Sequence, residues 1–299
     1  QHPFLGPIPV EISLRVLGSG SSGNAALVSG GPTTLLVEAG LSCRALEKRI
    51  AVAGRSPSDI AAVLVSHEHG DHCRSATTFA LRHGIPVACT EGTWRCLISR
   101  NGTETPDWLP LLPGETRRVG TITVTPFRTP HDAQDPIGFR FEHGGAVLFH
   151  ATDFGHLSHE MEEAVKGASV VLIESNYDEQ QLFESRYPFA IRQRIASTRG
   201  HLSNGALAMY LRRRLPSSVN TLVLAHLSEN TNTPELALRT ARTALDAAGR
   251  PEVRLLVARR HDLTEEIWTR PVRAAAKPPM TPRVNRFLNP VPLRAPTLF

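Results

Sequence analysis

No stretch of this 299-residue chain approaches the uninterrupted apolar length that a membrane-spanning helix needs. The chain is also poor in cysteine. Cys43, Cys73, Cys89 and Cys96 form no Cys-x-x-Cys pair and stand in no small disulfide-rich setting, so they read as reduced thiols of a cytoplasmic protein. Cys73 lies close enough to a polar cluster to touch it, but a helix-packing role suits it better. Gln1-His2-Pro3-Phe4 carries neither the basic region nor the apolar core of a signal peptide, although the missing initiator Met is compatible with trimming. Acidic residues are absent from the last thirty positions. Six of the 33 basic residues (Arg270, Arg273, Lys277, Arg283, Arg286, Arg294) lie there, leaving 27 basic against 28 acidic residues over positions 1–269. The formal charge of +5 therefore resides in the tail. Seven prolines in that segment exclude a long helix or a central strand and favour an extended arm. Such an arm suits a nucleic-acid backbone, a solubilising terminus, or, through Ala295-Pro296-Thr297-Leu298-Phe299, docking to a protein partner.

What the chain does have is a body with an ample core, 41% of its residues being hydrophobic, and one dense polar run. His67-Glu68-His69-Gly70-Asp71-His72 directly follows Ala61-Ala62-Val63-Leu64-Val65. Side chains at i and i+2 leave a strand on the same side, so His67 and His69 can grip one ion together. Gly70 permits a sharp bend, after which Asp71 and His72 return from the start of the next helix to hold a second. Glu68 points away from its histidine neighbours, as a supporting partner or a surface acid. The alternative is a solvated polar turn.

Strands are expected at Ile12–Leu17, Ala25–Val28, Thr33–Val37, before His67, near Val87, and at Thr121–Phe127, Ile137–Glu142 and Ala146–His150. Further strands are expected at Val170–Glu174, Thr221–Ala225 and Val253–Val257, with helices over Leu41–Ala53, Ser75–His83, from Glu91, Asn204–Arg214 and Pro234–Ala248. Strand groups in both halves with interleaved helices imply an α/β (α+β) fold: two sheets face to face, helices outside, and metal-bearing loops along one edge. Two units are expected, a body over 1–269 and the basic Pro-rich extension 270–299.

Gly18-Ser19-Gly20-Ser21-Ser22-Gly23 matches a dinucleotide fingerprint, with Glu38 at a plausible distance for a ribose contact. The fingerprint requires a helix next, whereas Gly30-Gly31-Pro32 interrupts a hairpin, so a nicotinamide or flavin site is discounted. The turn's exposed amides still suit an oxyanion or phosphate, with Ser21, Ser22 and Asn24 as contributors. Isolated candidates stand just beyond strands at His131, Asp153 and His226. His201 precedes Ser203-Asn204, which can cap a helix whose start could receive a phosphate, while the imidazole donates a proton to a leaving oxygen. A 5′-phosphate held there would make the enzyme cut from that end.

His-x-His-x-Asp-His followed by a distant His, Asp and His resembles the metallo-beta-lactamase superfold, over roughly positions 12 to 260. That resemblance implies a four-layer αββα sandwich in which His67, His69 and His131 hold a first metal, Asp71, His72 and His226 a second, and Asp153 bridges them. Zinc beta-lactamases carry Cys where Asp153 stands, which argues against antibiotic hydrolysis. Leu17-Gly18-Ser19-Gly20-Ser21-Ser22-Gly23-Asn24, His131-Asp132-Ala133, Glu174-Ser175-Asn176-Tyr177-Asp178, Gly200-His201-Leu202-Ser203-Asn204 and Ala225-His226-Leu227-Ser228 together resemble the WalJ/YycJ group of DNA exonucleases. The implied function is 5′ to 3′ exonuclease action on single-stranded DNA or the 5′ ends of duplex, in DNA repair. It would use two Mn2+ or Zn2+ ions, with Asp71 and His201 catalytic and Ser21, Ser22, Asn24, Asn176, His201, Ser203 and Asn204 contacting substrate. The competing readings are a small-molecule ester, thioester or cyclic phosphodiester hydrolase, an RNA-directed nuclease, and a non-catalytic metal-binding regulator.

Overall fold

The structure, a computed structural model, describes residues 11–100 and 104–269. The boundary drawn at 269 marks the end of the described residues, and both the proposed basic arm and its docking peptide lie outside them. None of the helices among the described residues is long and apolar enough to cross a membrane.

The first half runs β1 (Ile12–Gly18), β2 (Ala25–Gly30), β3 (Thr33–Val37), α1 (Cys43–Val52), β4 (Ile60–Leu64), α2 (Gly70–Cys73), α3 (Ala76–His83), β5 (Val87–Cys89), α4 (Glu91–Ser99) and β6 (Trp108–Pro110). The second half continues with β7 (Arg117–Val119), β8 (Ile122–Arg128), β9 (Ile137–His143), β10 (Ala146–Ala151), α5 (His159–Ala164), β11 (Val170–Glu174), α6 (Glu179–Glu184) and α7 (Phe189–Ile195). It then adds α8 (Asn204–Arg213), β12 (Thr221–Ala225), α9 (Pro234–Ala247), β13 (Arg254–Val257) and β14 (Ile267–Trp268). Strands β1 to β6 form one sheet in sequence order, with β14 added outside β1; β7 to β13 form the other, also in sequence order. The last strand thus crosses back to the first sheet, where Ser13 faces Trp268 and Leu14 faces Ile267.

Alternation along the strands divides the core into three clusters. Ile12, Leu14, Val28, Leu35 and Leu64 from the first sheet meet Val124, Phe139, Phe141, Leu148 and Val223 from the second, forming the layer between the sheets. Residues one position out of phase face outward. Leu27, Leu36 and Val63 pack on Leu46 and Ile50 of α1 and Phe79 of α3, while Phe149, Ile173 and Leu224 pack on Leu207 and Leu211 of α8 and Ala241 and Leu245 of α9. The result is the expected four-layer sandwich of two sheets between helices. Cys73 and Cys89 belong to the outer packing of the first sheet, and burial pushes the Cys73 thiol up to about 11. All four cysteines are free thiols.

The parallel segments of both sheets point their C-terminal ends at one edge. Strands β3 and β4 run parallel, as do β10, β11 and β12, and β8 shares the direction of β10 because each is antiparallel to β9. The polar residues after β3, β4, β8, β10 and β12 therefore gather on one rim, where ligands bind in open parallel sheets.

Phe139 is fully buried between the sheets, so Phe139→Ala leaves a cavity on both. Unfolding in urea should show a loss of about 3–5 kcal/mol; a loss below about 1 kcal/mol would contradict this account of the inter-sheet layer.

Candidate metal centre

The rim is built by short connections that leave little conformational choice. After β4, Ser66 Oγ lies 2.9 Å from Nδ1 of His67, and His69 ends the extended segment as the residue before α2. The backbone then turns so that Asp71 and His72 come back under residues 38–40: Asn24 N donates to the Asp71 carbonyl (2.7 Å) and Ala39 N to that of His72 (2.8 Å). This contact requires glycine at position 40, where a Cβ would fall 1.6 Å from the Asp71 carbonyl oxygen.

Three residues other than glycine have left-handed backbone among the described residues: Glu38 (φ 64°), Asp153 (φ 59°) and His226 (φ 56°). All three stand on this rim. Such conformations carry a strain cost and persist where the surroundings dictate them, a pattern typical of functional sites.

Two donor sets result. In the first, Nε2 of His67 lies 3.0 Å from Nδ1 of His69, which lies 3.2 Å from Nε2 of His131. His131 Nδ1 donates to the Gly200 carbonyl at 3.1 Å, so its Nε2 presents a lone pair to the other rings. In the second, Asp71 Oδ2 lies 3.2 Å from His226 Nε2 and 3.5 Å from His72 Nε2. Asp153 stands between them: Oδ2 is 3.0 Å from His72 Nε2, and Oδ1 is 3.6 Å from His226 Nδ1 and 3.8 Å from His131 Nε2. All seven residues expected as metal ligands meet at one place, in groups whose ligand atoms lie within 4.8 Å of one another.

The donor sets suit cations. Asp153 Oδ2 is buried without a hydrogen-bond partner, and three imidazole nitrogens crowd together in the first set. Buried groups so arranged are costly unless a positive charge joins them. Five imidazoles and two carboxylates are suitable donors for divalent zinc or manganese.

Charge is distributed unevenly. Burial holds His67 well below the ordinary imidazole value, reinforced by His72 nearby, and burial likewise lowers His69. Burial also opposes charge on Asp71, Asp153, His72 and His226, but their mutual attraction overrides it. Asp71 and Asp153 are pulled well below the carboxylate range by the facing imidazoles. Asp153 and Asp71 raise His72, and Asp153, Asp71 and Glu174 lift His226 to about 10.

Two carboxylates that form the next layer were not assigned this role from the sequence. Glu38, directly after β3, places Oε2 3.5 Å from His72 Nδ1. Glu174, at the end of β11, places Oε1 3.0 Å from His226 Nδ1 and 2.8 Å from His201 Nδ1, while its Oε2 accepts from the amides of Phe154 and Leu202. Carboxylates behind ligating imidazoles fix the tautomer and raise basicity. Glu38 is a buried acid at a strand end, the same signal that singled out Asp153. Glu68 is buried rather than a surface acid, and its Oε1 accepts from Gln134 N at 3.0 Å.

The expected substrate contacts fare differently. Ser21 and His201 line a cleft of about 210 Å3 with His69, Asp71, His131 and Arg194, and Ser22 is exposed beside it. Four others need correcting, because they are buried and already engaged. Asn24 accepts from Gly20 N (2.9 Å) and turns its amide to His72 Nε2 (3.1 Å). Asn176 donates to the His226 carbonyl. Asn204 joins Ser175 and Asn232, and Ser203 caps α8 through Ala206 N. The phosphate site expected at the start of α8 is also corrected: Glu179 Oε1 accepts from Ser203 Oγ (2.6 Å) and Gly205 N (3.2 Å), so a protein carboxylate already lies there.

Residues 33–227 match the family described as "Beta-lactamase superfamily domain". The chain belongs to this superfamily of metallo-beta-lactamase hydrolases. It is 34% identical over 239 residues to exodeoxyribonuclease YycJ of Bacillus anthracis, covering 80% of this chain and 90% of that one. It is 34% identical over 231 residues to exodeoxyribonuclease WalJ of Streptococcus pneumoniae serotype 2, covering 76% and 86%. The fold matches that of the metallo-beta-lactamase fold protein YhfI from Bacillus subtilis with a TM-score of 0.65 at 17% identity, over 85% of this chain and 99% of that one.

Two outcomes follow for metal binding. Protons compete at the second set, where His226 holds its proton up to about 10, but hardly at the first, where His67 and His69 are kept neutral. Lowering the pH from 8 towards 6 should therefore release the ion of the second set before that of the first, as read by metal content after dialysis at each pH; simultaneous release would refute the division. Glu38→Gln should weaken the second ion by roughly 10–100-fold in a chelator competition, leaving the first in place.

Proposed function

We propose that this chain is a metal-dependent exodeoxyribonuclease that trims DNA in the 5′ to 3′ direction as part of DNA repair, using two manganese or zinc ions. The observation that carries this reading is the convergence of His67, His69, His131, Asp71, His72, His226 and Asp153 on one rim, in a chain whose 34%-identical relatives are named exodeoxyribonucleases. His67, His69 and His131 would hold one ion, Asp71, His72 and His226 the other, and Asp153 both. Ions there would supply Lewis acidity and neutralise charge on a phosphodiester.

The side chains divide the remaining work. Asp71 stays ionised beside His72 and His226 and opens onto the cleft, so it can orient an attacking water by accepting a hydrogen bond from it. His201 suits the opposite role. Burial opposes its charge, but Glu174 outweighs burial and raises it above the ordinary value. With Nδ1 on Glu174, Nε2 is the nitrogen left to give a proton to the departing oxygen. A 5′ phosphate would be received inside the cleft by Ser21 and His201, with Arg194 exchanging its partner Asp132, 2.5 Å away, for the phosphate. The free cysteines support a cytoplasmic setting.

One observation favours a second reading: the cleft is small, about 210 Å3, and would also suit a small ester or cyclic phosphodiester. The deciding assay offers end-labelled single- and double-stranded DNA and matched RNA, with 5′-phosphate or 5′-hydroxyl ends and added manganese or zinc. DNA should be shortened from its 5′ end, and Asp71→Ala should slow this by roughly 10²–10⁴-fold. Metal-loaded protein that leaves every nucleic acid intact would overturn the nuclease reading in favour of the small-molecule hydrolase, and preferential cutting of RNA would redirect it.

A further inference from the structure

Helix α7 contains no buried residue, although its sequence is Phe189-Ala-Ile-Arg-Gln-Arg-Ile195. Phe189 is 65% exposed, and Phe183 at the end of α6 is 77% exposed, more than any other large apolar side chain among the described residues. A folded chain gains nothing by presenting two phenylalanines to water so close together, which marks a contact surface. Basic residues cluster beside them: positions 185–200 hold Arg186, Arg192, Arg194 and Arg199 and no acid, against 23 basic and 28 acidic residues over the rest of positions 1–269. Glu184 directly precedes this run, and Arg194 is paired with Asp132 at 2.5 Å. Arg192 lies over the Phe183 ring, 5.9 Å from its centre. Arg186 and Tyr187 border a groove of about 480 Å3 that Glu184 and Asn230 also line. The other end of α7 enters the metal cleft, whose lining includes Ile191, Arg194 and Ile195.

Resting on the nuclease reading above, we infer that α6 and α7 form a single-strand platform, on which Phe183 and Phe189 stack unpaired bases while the arginines follow the backbone into the cleft. Aromatic faces beside guanidinium groups are the common device for holding single strands without regard to sequence. The faces of paired bases are covered within a duplex, so the platform selects unpaired DNA. From Phe189 to Ile195 the helix advances about 9 Å, a distance on the scale of one or two nucleotides.

The test measures fluorescence anisotropy of a labelled single-stranded oligodeoxythymidylate with phosphorothioate linkages, and of a blunt duplex, on the manganese-loaded full chain. Phe183→Ala with Phe189→Ala should weaken single-strand binding by roughly 10–100-fold and duplex binding far less, with an unmoved melting transition because both side chains are exposed. Val52→Ala, a comparably exposed change on α1, serves as control. Wild-type protein that binds and cuts single strands while the double variant binds them equally well would overturn the platform and leave the nuclease reading standing. Wild-type protein that neither binds nor cuts DNA would overturn both. Loss of self-association in the variant, with DNA affinity intact, would reassign the surface to a second copy of the chain.

Discussion

Compensation of buried charge is the constraint on which this molecule depends. Glu38, Asp153 and Glu174 are essentially removed from water, as are His67, His72, His131 and His226. Removing so many ionisable groups from solvent costs several kcal/mol for each ion left unmatched. Attraction within the cluster meets part of that cost: Glu38 faces His72, Glu174 faces His226 and His201, and Asp153 lies between the two donor sets. The space between Asp153 and the crowded imidazole nitrogens of the first set is where cations belong. The sandwich serves this arrangement by bringing the ends of β3, β4, β8, β10 and β12 to one rim, so that no flexible loop has to carry a ligand far from its strand.

Backbone geometry enforces the same end. Glu38, Asp153 and His226 each leave a strand in left-handed conformation, which swings the side chain to the rim within one or two residues of the strand. Gly40 adds a second requirement. Its missing Cβ lets residues 38–40 lie against the carbonyls of Asp71 and His72, tying the first hairpin to the ligand run thirty residues later. The glycine-rich turn at 18–23, which looks like a nucleotide fingerprint, serves the same purpose through Asn24, whose side chain holds Gly20 at one end and reaches His72 at the other.

Much of this was legible in the sequence because the signals are local. Period-2 apolar runs gave β1 to β4 and β8 to β12, and runs of helical period gave the larger helices, to within about two residues; ligand-type residues directly after strands gave the rim. The elements that escaped are those with no period to read. Strands β6 and β7 have three residues each and β14 has two, helices α5, α6 and α7 have only six or seven, and β14 exists only because distant partners accept it. Glu38 and Glu174 were hidden for a different reason. A carboxylate that supports an imidazole is defined by a contact across the fold, such as Glu38 with His72 or Glu174 with His226; a strand-end position marks Glu38 as a candidate, but no sequence spacing encodes its partner. The misassigned asparagines and Ser203 show the converse. Polar residues in a loop motif look available for substrate until the fold reveals that Asn204, Asn232 and Ser175 have already satisfied one another.

The chemistry of the cleft also limits what it can select. Its polar lining consists of imidazoles, carboxylates, one serine and one arginine, groups that engage phosphate and sugar and carry no information about bases. Such a lining treats every phosphodiester alike, whether from a single strand, a duplex end or a small ester. Any discrimination between these must therefore come from surface outside the cleft. Beside it, α6–α7 presents the exposed rings of Phe183 and Phe189 with Arg186 and Arg192 nearby, so the inferred platform would place the choice of substrate on different elements from the metal ligands.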